Sequence, residues 1–409
     1  MRDNLLYTKH QYMERKIISV CITFLILIIL ITGCSKEDEE PPVSVSYTVL
    51  IYMAADNSMT TEVDYTLEQL KEGMAKSGGT AVVYLDTQDE VPRLFKLTNE
   101  GEEVLLKTYG EENSASAATL NQVIEDCKEL VPAGQFGLVL WSHANGWLPS
   151  DYSFLTKSAR TSSNTFPRTR YLGMDEHPGD GTSRTAMMDV AEMAEVLPEN
   201  MAEFVLFDVC LMANVESLYQ LRHICKYMIA SPTEVLAEAD YDASGMPYSK
   251  VLPFLFEGED GLKKACQAYY NHYKNKSGIL RSATISLTDA DELEAFYNVT
   301  ARLLSGKLEK ARQLDVTQLQ VYHTDNVPQV FFDSGDVVKN LCTTDEYQVF
   351  KTQLNKTVLY KAATDKFVNL EIDQSHFSGL SMYVPLTKWT EYPEYIYYFA
   401  TMEWSKVYD

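Results

Sequence analysis

The stretch that decides the fold is Phe136–Trp147, which reads FGLVLWSHANGW. Its first half is an unbroken apolar run of strand length, and polar side chains begin directly after Trp141. A second segment of similar design, Glu203–Asn214, reads EFVLFDVCLMAN. Apolar runs without alternation are typical of strands that are buried on both faces of a parallel sheet. The two segments therefore predict central strands that carry polar residues at their carboxyl ends.

Strands and helices alternate on both sides of these two segments. Further strands are predicted at Tyr47–Ala54, Thr80–Leu85, Tyr227–Ala230, Ala283–Leu287 and Leu380–Val384, with a hairpin formed by Arg93–Leu97 and Glu103–Tyr109. Helices are predicted at Thr61–Ser77, Ala117–Leu130, Thr185–Leu197, Val215–Cys225, Gly261–Asn275 and Asp291–Leu314. This alternation predicts an α/β fold with a doubly wound, mostly parallel sheet and helices on both faces. Residues 148–184 lack periodicity and predict a long surface loop.

The composition limits the classes of partner. The chain has 409 residues, of which 45% are hydrophobic, and this is enough apolar surface for a sizeable core. Its formal net charge is −23, and such a surface repels phosphate backbones, so nucleic-acid binding is not expected. Basic peptides or divalent cations are the partners that this charge favours. Improved solubility is the alternative explanation.

The amino-terminal segment has the pattern of a lipoprotein signal. Arg15 and Lys16 precede an apolar run of about 22 Å in helical form, which is shorter than the roughly 30 Å of a bilayer core. The run extends from Ile17 to Ile31. The Gly33-Cys34 pair that follows resembles a bacterial lipobox, so residues 1–33 are predicted to be removed and Cys34 to be lipidated. A transmembrane anchor is the alternative. We expect an exported protein anchored by lipid to the bacterial cell envelope, at the outer membrane or the cell surface.

An acidic segment follows the predicted lipidation site. Residues 34–45 contain four acidic side chains and then Pro41-Pro42, which predicts a polar tether with a stiff end. The tether resembles the acidic surface-export tag of lipoproteins from Bacteroidetes-type bacteria, and a solvated spacer is the alternative. Residues 46–409 are then predicted to form one domain with a carboxyl-terminal elaboration.

The cysteines point to a functional thiol. Outside the signal and Cys34, the chain has Cys127, Cys210, Cys225, Cys266 and Cys342. Their spacing matches no CxxC pair and no zinc pattern. An odd, small number of cysteines argues against a disulfide framework, so at least one thiol is expected to stay free. Free thiols are at risk of oxidation in an exported protein, which makes a function for one of them worth seeking.

His143 and Cys210 are the candidate catalytic pair. In an open α/β sheet, sites gather at the carboxyl ends of the strands. If the two central strands are neighbours, His143 and Cys210 emerge at the same edge. A thiolate can attack a carbonyl carbon while an imidazolium protonates the leaving amine. The alternative is that Cys210 is an inert core cysteine.

These segments together resemble the clostripain family of cysteine peptidases, within the caspase-like clan. In that family an apolar strand ends in the catalytic histidine, and the next apolar strand ends in Asp-x-Cys. Tyr47–Asn57 (YTVLIYMAADN) resembles the first strand of the family, and Ser378–Pro385 (SGLSMYVP) resembles a segment near its carboxyl terminus. The resemblance extends over roughly residues 46–390 and implies a caspase-like fold.

The resemblance also implies roles for individual residues. His143 is expected to act as the general acid and Cys210 as the nucleophile. The backbone N–H groups of Cys210 and Ala144 are expected to form the oxyanion hole. Many relatives have glycine where this chain has Ala144, whose methyl group lies where the substrate backbone approaches.

Substrate preference is expected to depend on acidic residues beside the nucleophile. Asp208 and Cys210 lie two positions apart on a strand and so share a face. The resemblance implies that Asp208 favours Arg or Lys before the cleaved bond, and a structural aspartate that binds the adjacent loop is the alternative. Ser231 and Glu234 are expected to line the same pocket, although Glu234 as a solvated loop residue is an equal alternative.

Several other polar residues have weaker assignments. Asn145 is expected to form a turn with Gly146 rather than to orient His143. Asp56 and Asn57 are expected to form a helix N-cap region, with support of the His143 loop or a metal site as alternatives. The remaining histidines, 177, 223, 272, 323 and 376, are expected to be structural or exposed.

Two family properties remain open in the sequence. Relatives often mature by self-cleavage after a basic residue, and the 148–184 loop offers Lys157, Arg160, Arg168, Arg170 and Arg184. An uncut lid is the alternative. The chemistry requires no cofactor, but calcium dependence occurs in the family, and Glu238–Asp242 or Asp289–Glu292 could bind it without an EF-hand pattern.

Two other functions compete with an endopeptidase that cuts after Arg or Lys. One is a catalytically inactive surface lipoprotein that binds peptides or proteins. The other is a peptidase of different specificity in which Asp208 is structural.

Overall fold

The computed structural model describes residues 45–149, 174–177, 179, 186–323 and 329–409. The predicted signal, Cys34 and nearly all of the acidic tether lie outside these ranges. So do Lys157, Arg160, Arg168, Arg170 and Arg184 of the predicted loop.

A nine-stranded sheet forms the centre of the described chain. Its strands, in chain order, are β1 (Val45–Ala55), β2 (Thr80–Thr87), β3 (Glu90–Leu97), β4 (Glu103–Thr108), β5 (Ala133–Trp141), β6 (Ala202–Asp208), β7 (Cys225–Ala230), β8 (Thr284–Asp289) and β9 (Val358–Ala363). Across the sheet the order is β9-β8-β7-β6-β5-β1-β2-β3-β4. The five strands from β7 to β2 are parallel, and antiparallel pairs extend the sheet at both ends.

Helices surround this sheet. They are α1 (Val63–Met74), α2 (Ala117–Leu130), α3 (Val190–Val196), α4 (Val215–Gln220), α5 (Tyr248–Val251), α6 (Gly258–Lys274), α7 (Leu293–Leu304), α8 (Leu308–Arg312), α9 (Ser334–Leu341), α10 (Thr344–Thr357) and α11 (Pro393–Thr401). Ser116 caps α2 by accepting the N–H of Ala118, and Thr343 with Glu346 forms a capping box at α10. The predicted α/β class, with a mostly parallel sheet, is confirmed.

Short elements connect these helices and strands. Two-stranded ladders join Met174–Asp175 to Ala186–Met187, Ala237–Glu238 to Ala243–Ser244, Phe332–Asp333 to Ser381–Met382, and Lys366–Phe367 to Leu370–Glu371. Short 3-10 helices lie at Ser58–Glu62, Ala239–Tyr241, Leu252–Phe256, Gly278–Leu280, Ala290–Glu292, Thr387–Trp389 and Glu403–Tyr408.

Four predicted elements differ from the structure. The helix predicted from Thr185 begins only at Val190, because Ala186–Met187 is a strand. The helix predicted to reach Cys225 ends at Gln220, because Cys225 already begins β7. The other two differences lie further along the chain.

The helix predicted at Asp291–Leu314 is divided into α7 and α8. Gly306 separates them, and its φ of 69° is in the left-handed region, which interrupts a right-handed helix. The strand predicted at Leu380–Val384 is reduced to Ser381–Met382, which pairs outside the main sheet. Short apolar runs reveal burial more reliably than they reveal the pairing partner.

The middle strands form the core of the molecule. Leu50 of β1, Val139 of β5 and Leu206 of β6 are all 0% exposed. Complete burial of such a side chain contributes about 1.5–3 kcal/mol relative to exposure. No helix within the described ranges is both long and apolar enough to cross a membrane.

Candidate active site

The strand register brings His143 and Cys210 to the same edge of the sheet. β5 and β6 are adjacent and parallel, and Trp141 pairs with Asp208 as the last residue of each strand. His143 and Cys210 each follow this pair by two residues. They therefore leave neighbouring strands at the same level. Both side chains are buried, with exposed fractions of 3% and 0%.

The loops that carry these two residues approach each other closely. Gly146 has a φ of 66°, which supports the predicted Asn145-Gly146 turn. A Cβ atom on Gly146 would lie only 2.9 Å from the carbonyl oxygen of Leu211, the residue after Cys210. Leu211 itself has a φ of 61°, a conformation that is costly for a side chain of its size. Strained backbone next to a candidate nucleophile is characteristic of functional sites.

The segment after β7 covers the sulfur of Cys210. The N–H of Val235 points to the Sγ of Cys210 at 3.1 Å, and the carbonyl oxygen of Val235 lies 3.9 Å from it. The N–H of Leu211 donates to Thr233, and the N–H of Ala213 donates to Ser231. In this conformation the thiol is fully buried, and Val235 contacts its sulfur. Cys225, which lies in β7, has a similar backbone contact, to the carbonyl oxygen of Tyr227 at 3.2 Å, so the catalytic role of Cys210 stays a prediction.

Ser58 contacts the predicted catalytic imidazole and was not anticipated from the sequence. Its Oγ lies 2.8 Å from the Nε2 of His143. Ser58 begins the short helix that follows β1, and β1 lies directly beside β5. A polar residue at the end of the neighbouring strand was the only available signal, and the path of the loop could not be inferred from it.

Asp208 binds the segment after Ser244. The carboxylate accepts the backbone N–H of Met246 at 3.1 Å and the phenol O–H of Tyr248 at 2.9 Å. Asp208 is fully buried. These contacts correspond to the structural alternative for Asp208. A role in recognising a basic side chain remains a prediction.

Ser231 and Glu234 lie on the segment that covers Cys210. Ser231 is buried and shares hydrogen bonds with the hydroxyl groups of Thr233 and Thr284, at 3.2 and 2.7 Å. Glu234 is partly buried, and its carboxylate lies 3.5 Å from the Nε2 of His323. A histidine at position 323 was expected to be structural or exposed, and its proximity to Glu234 was not predicted.

Asn57 caps the short helix as the sequence predicted, whereas Asp56 binds a histidine. The Oδ1 of Asn57 accepts the N–H of Met59, and its Nδ2 donates to the carbonyl oxygen of Ala54. Asp56 is buried and holds the Nδ1 of His177 at 2.8 Å. This contact raises the pKa of the exposed His177 imidazole.

An unusual buried carboxyl lies near this edge of the sheet. Burial raises the pKa of Asp86 to about 8, and repulsion from Asp175 and Asp56 adds to the shift. A hydrogen bond from the side chain of Ser114 offsets part of this shift. The Nδ2 of Asn145 lacks a hydrogen-bond partner within the described ranges.

Two carboxylates of the acidic segments considered for calcium have protein partners in this structure, and calcium dependence stays a prediction. Asp242 is engaged by the phenol of Tyr65 at 2.7 Å and by Lys276 at 2.8 Å. Asp289 accepts the N–H of Asp291. Calcium needs several converging oxygens, and no cluster of three or more metal-binding side chains occurs in the part of the chain that the structure describes.

A mostly parallel sheet that carries a thiol and an imidazole after the ends of two adjacent strands is consistent with an α/β cysteine peptidase. The model of the clostripain family matches residues 51–408, so the chain belongs to the clostripain family. The predicted family and enzyme class are thus confirmed, and the protein is a cysteine peptidase. No curated protein matches the sequence.

Two solved structures extend this similarity. An inactive zymogen C11 protease from Parabacteroides distasonis is 31% identical, with a TM-score of 0.74, and the match covers 90% of this chain and 99% of that one. A secreted C11 cysteine protease from Bacteroides thetaiotaomicron, in complex with an irreversible peptide inhibitor, is 25% identical with a TM-score of 0.70. That match covers 88% of this chain and 98% of the other. The predicted caspase-like fold is confirmed by these structures.

Proposed function

We propose that the protein is an exported, lipid-anchored cysteine endopeptidase that cleaves after Arg or Lys and uses His143 and Cys210 as its catalytic dyad. One observation carries the assignment of the dyad. Each residue follows the Trp141–Asp208 register pair by two positions, on adjacent parallel strands. A thiol and an imidazole are the two groups that acyl transfer needs, and their matched positions support the proposal.

The reaction follows from these two groups. Cys210 transfers its proton to His143, and the thiolate forms a bond to the carbonyl carbon of the substrate. Backbone N–H groups, for which Cys210 and Ala144 are the candidates, stabilise the oxyanion. The C–N bond then breaks as the imidazolium protonates the leaving amine. A water molecule, deprotonated by His143, then attacks the thioester carbonyl. The C–S bond breaks, the acid is released, and the Cys210 thiolate takes its proton back from His143.

The enclosed thiol supports a latent form of the enzyme. Cys210 is fully buried beneath Val235, and the relative from Parabacteroides distasonis is described as an inactive zymogen. We infer that activation shifts residues 231–235 and opens a path to the sulfur. Self-cleavage after a basic residue in the 148–184 loop is the proposed trigger.

Acidic side chains near Cys210 support a preference for basic residues. Asp208 lies two positions before the nucleophile, and Glu234 lies next to Val235, whose N–H touches the sulfur. The net charge of −23 attracts cationic peptides at a distance. In this proposal the buried Asp208 acts mainly through its negative charge, and Glu234 is the more accessible carboxylate.

The anchor rests on the sequence of the amino terminus. Cys34 follows the apolar run and Gly33, and the relative from Bacteroides thetaiotaomicron is described as secreted. Metabolic labelling with a palmitate analogue, followed by membrane fractionation, tests the proposal. Label and membrane association should be lost in Cys34→Ala and retained in the control Cys21→Ala. Retention of label in Cys34→Ala contradicts lipidation at this residue.

A binding protein without catalysis is the second candidate. Ala144 and the complete burial of Cys210 favour it. Fluorogenic peptides with Arg, Lys or Ala before the cleaved bond separate the candidates. We expect turnover of the Arg and Lys peptides, its loss in Cys210→Ala and His143→Ala, and near-normal rates in the control Cys342→Ala. Binding without turnover, even after proteolytic activation, supports the second candidate instead.

A further inference from the structure

We propose that Ser58 is a positioning residue that orients the imidazole of His143 through its Nε2 atom. The inference rests on the proposed catalytic role of His143. It is based on the 2.8 Å distance between the Oγ of Ser58 and the Nε2 of His143. Because this contact occupies one ring nitrogen, Nδ1 is the nitrogen that exchanges protons with Cys210 and the leaving amine.

Several hydrogen bonds fix the turn that carries Ser58. Asn57 caps the short helix that Ser58 begins, and Thr60 donates its hydroxyl to the carbonyl oxygen of Ala55 at 2.6 Å. On the other side, the backbone N–H of Glu176 donates to the carbonyl oxygen of Asp56. A contact made from such a fixed segment can hold an imidazole in one orientation.

A hydroxyl group suits both protonation states of the imidazole. When His143 is an imidazolium, its Nε2–H donates to the Oγ of Ser58. When Nδ1 has given up its proton, the neutral ring keeps its proton on Nε2, and Nε2–H still donates to the Oγ of Ser58. The same contact therefore persists as the ring gives up its proton and takes it back. A carboxylate at this position could only accept, and it would favour the imidazolium.

Other titratable groups stand on the neighbouring elements. These are Cys210 after β6, the Asp56 and His177 pair beside the turn, and the Glu234 and His323 pair on the far segments. The variants of Ser58 leave all of them in place. A change in the behaviour of His143 can therefore be assigned to the hydroxyl itself.

Three variants of Ser58 and one control test the inference. Thr61→Ala is the matched control for the turn itself, since Thr61 is exposed and its hydroxyl donates to the backbone carbonyl oxygen of Ser58 at 3.3 Å. Ser58→Ala should lower kcat about tenfold, the effect of roughly one hydrogen bond lost in the transition state, with little change in KM. Ser58→Thr should restore most of the rate. Ser58→Asp should move the alkaline limb of the kcat/KM profile to higher pH, because an adjacent carboxylate stabilises the imidazolium.

A second measurement separates this inference from the proposed function. The NMR titration of the His143 imidazole, identified by its loss in His143→Gln, needs no substrate. Its midpoint should rise in Ser58→Asp and stay unchanged in Thr61→Ala. If no peptide is cleaved but the NMR midpoint rises in Ser58→Asp, the Ser58–His143 contact is supported and the proposed peptidase activity is contradicted. If peptides are cleaved and Ser58→Ala has the rate of Thr61→Ala or a higher one, Ser58 does not position the catalytic imidazole.

Discussion

Gly146 lies so close to Leu211 that a methyl group on it would come within 2.9 Å of the Leu211 carbonyl oxygen. This contact joins the loop of the candidate general acid to the loop of the candidate nucleophile. Because Gly146 also has a φ of 66°, any side chain there meets both a steric and a conformational penalty.

Gly146→Ala should therefore lower both stability and activity. We expect a loss of about 1–3 kcal/mol in the free energy of unfolding, and a fall in kcat as the two loops move apart. Urea unfolding and peptide hydrolysis measure the two effects. Gly78→Ala is the control, since a Cβ atom at Gly78 meets nothing within 4 Å. Equal behaviour of the two variants would show that the loops do not depend on this close approach.

The contacts of Asp208 allow its two interpretations to be separated. Asp208→Asn removes the charge and keeps the size of the side chain. If the carboxylate recognises basic substrates, kcat/KM for Arg peptides should fall roughly tenfold to a hundredfold, the value of a charge-assisted interaction, while neutral peptides change little. Tyr248→Phe is the control, because it removes one hydrogen bond to Asp208 and leaves the charge. A uniform loss on all peptides supports a structural Asp208.

The burial of Cys210 predicts that its thiol reacts slowly with alkylating reagents in the intact chain. Cys342 is partly exposed, whereas Cys210 is covered by Val235. Iodoacetamide should alkylate Cys210 about tenfold or more slowly than Cys342, as mass spectrometry of the peptides can show. Activation by limited proteolysis should raise the rate at Cys210 only. Fast alkylation of Cys210 before any cleavage is incompatible with a latent form.

The sequence predicted His143 and Cys210 as the dyad, but it did not predict the residues that contact the site. His143 and Cys210 follow two apolar strands, and the ends of such strands can be predicted from the sequence alone. Ser58 was missed because its contact with His143 depends on the path of a turn that starts from a different strand. The partners of Asp208 were missed for a similar reason, since Met246 and Tyr248 lie 38 and 40 positions further along the chain. Burial of Asp86 was equally invisible, because a single acidic residue at a strand end resembles a solvated one.

The raised pKa of Asp86 predicts that the stability of the protein falls as the pH rises. Burial raises its pKa in the folded protein to about 8, whereas an aspartate in the unfolded chain titrates near 3.9. Between these values the folded state binds more protons than the unfolded state, so the free energy of unfolding decreases with pH across this window. Above pH 8 the carboxylate is charged and buried.

Asp86→Asn removes this titration and should flatten the pH dependence. We expect the variant to exceed the wild-type protein in stability at pH 9, by an amount on the order of a few kcal/mol, and to differ less at pH 5. Urea unfolding at pH 5, 7 and 9 measures the slope. Asp89→Asn, in the exposed turn after β2, is the control and should keep the wild-type slope. A wild-type slope in Asp86→Asn as well would place the responsible protons on other buried carboxyls, of which Glu216 is the first to examine because burial raises its pKa to about 8.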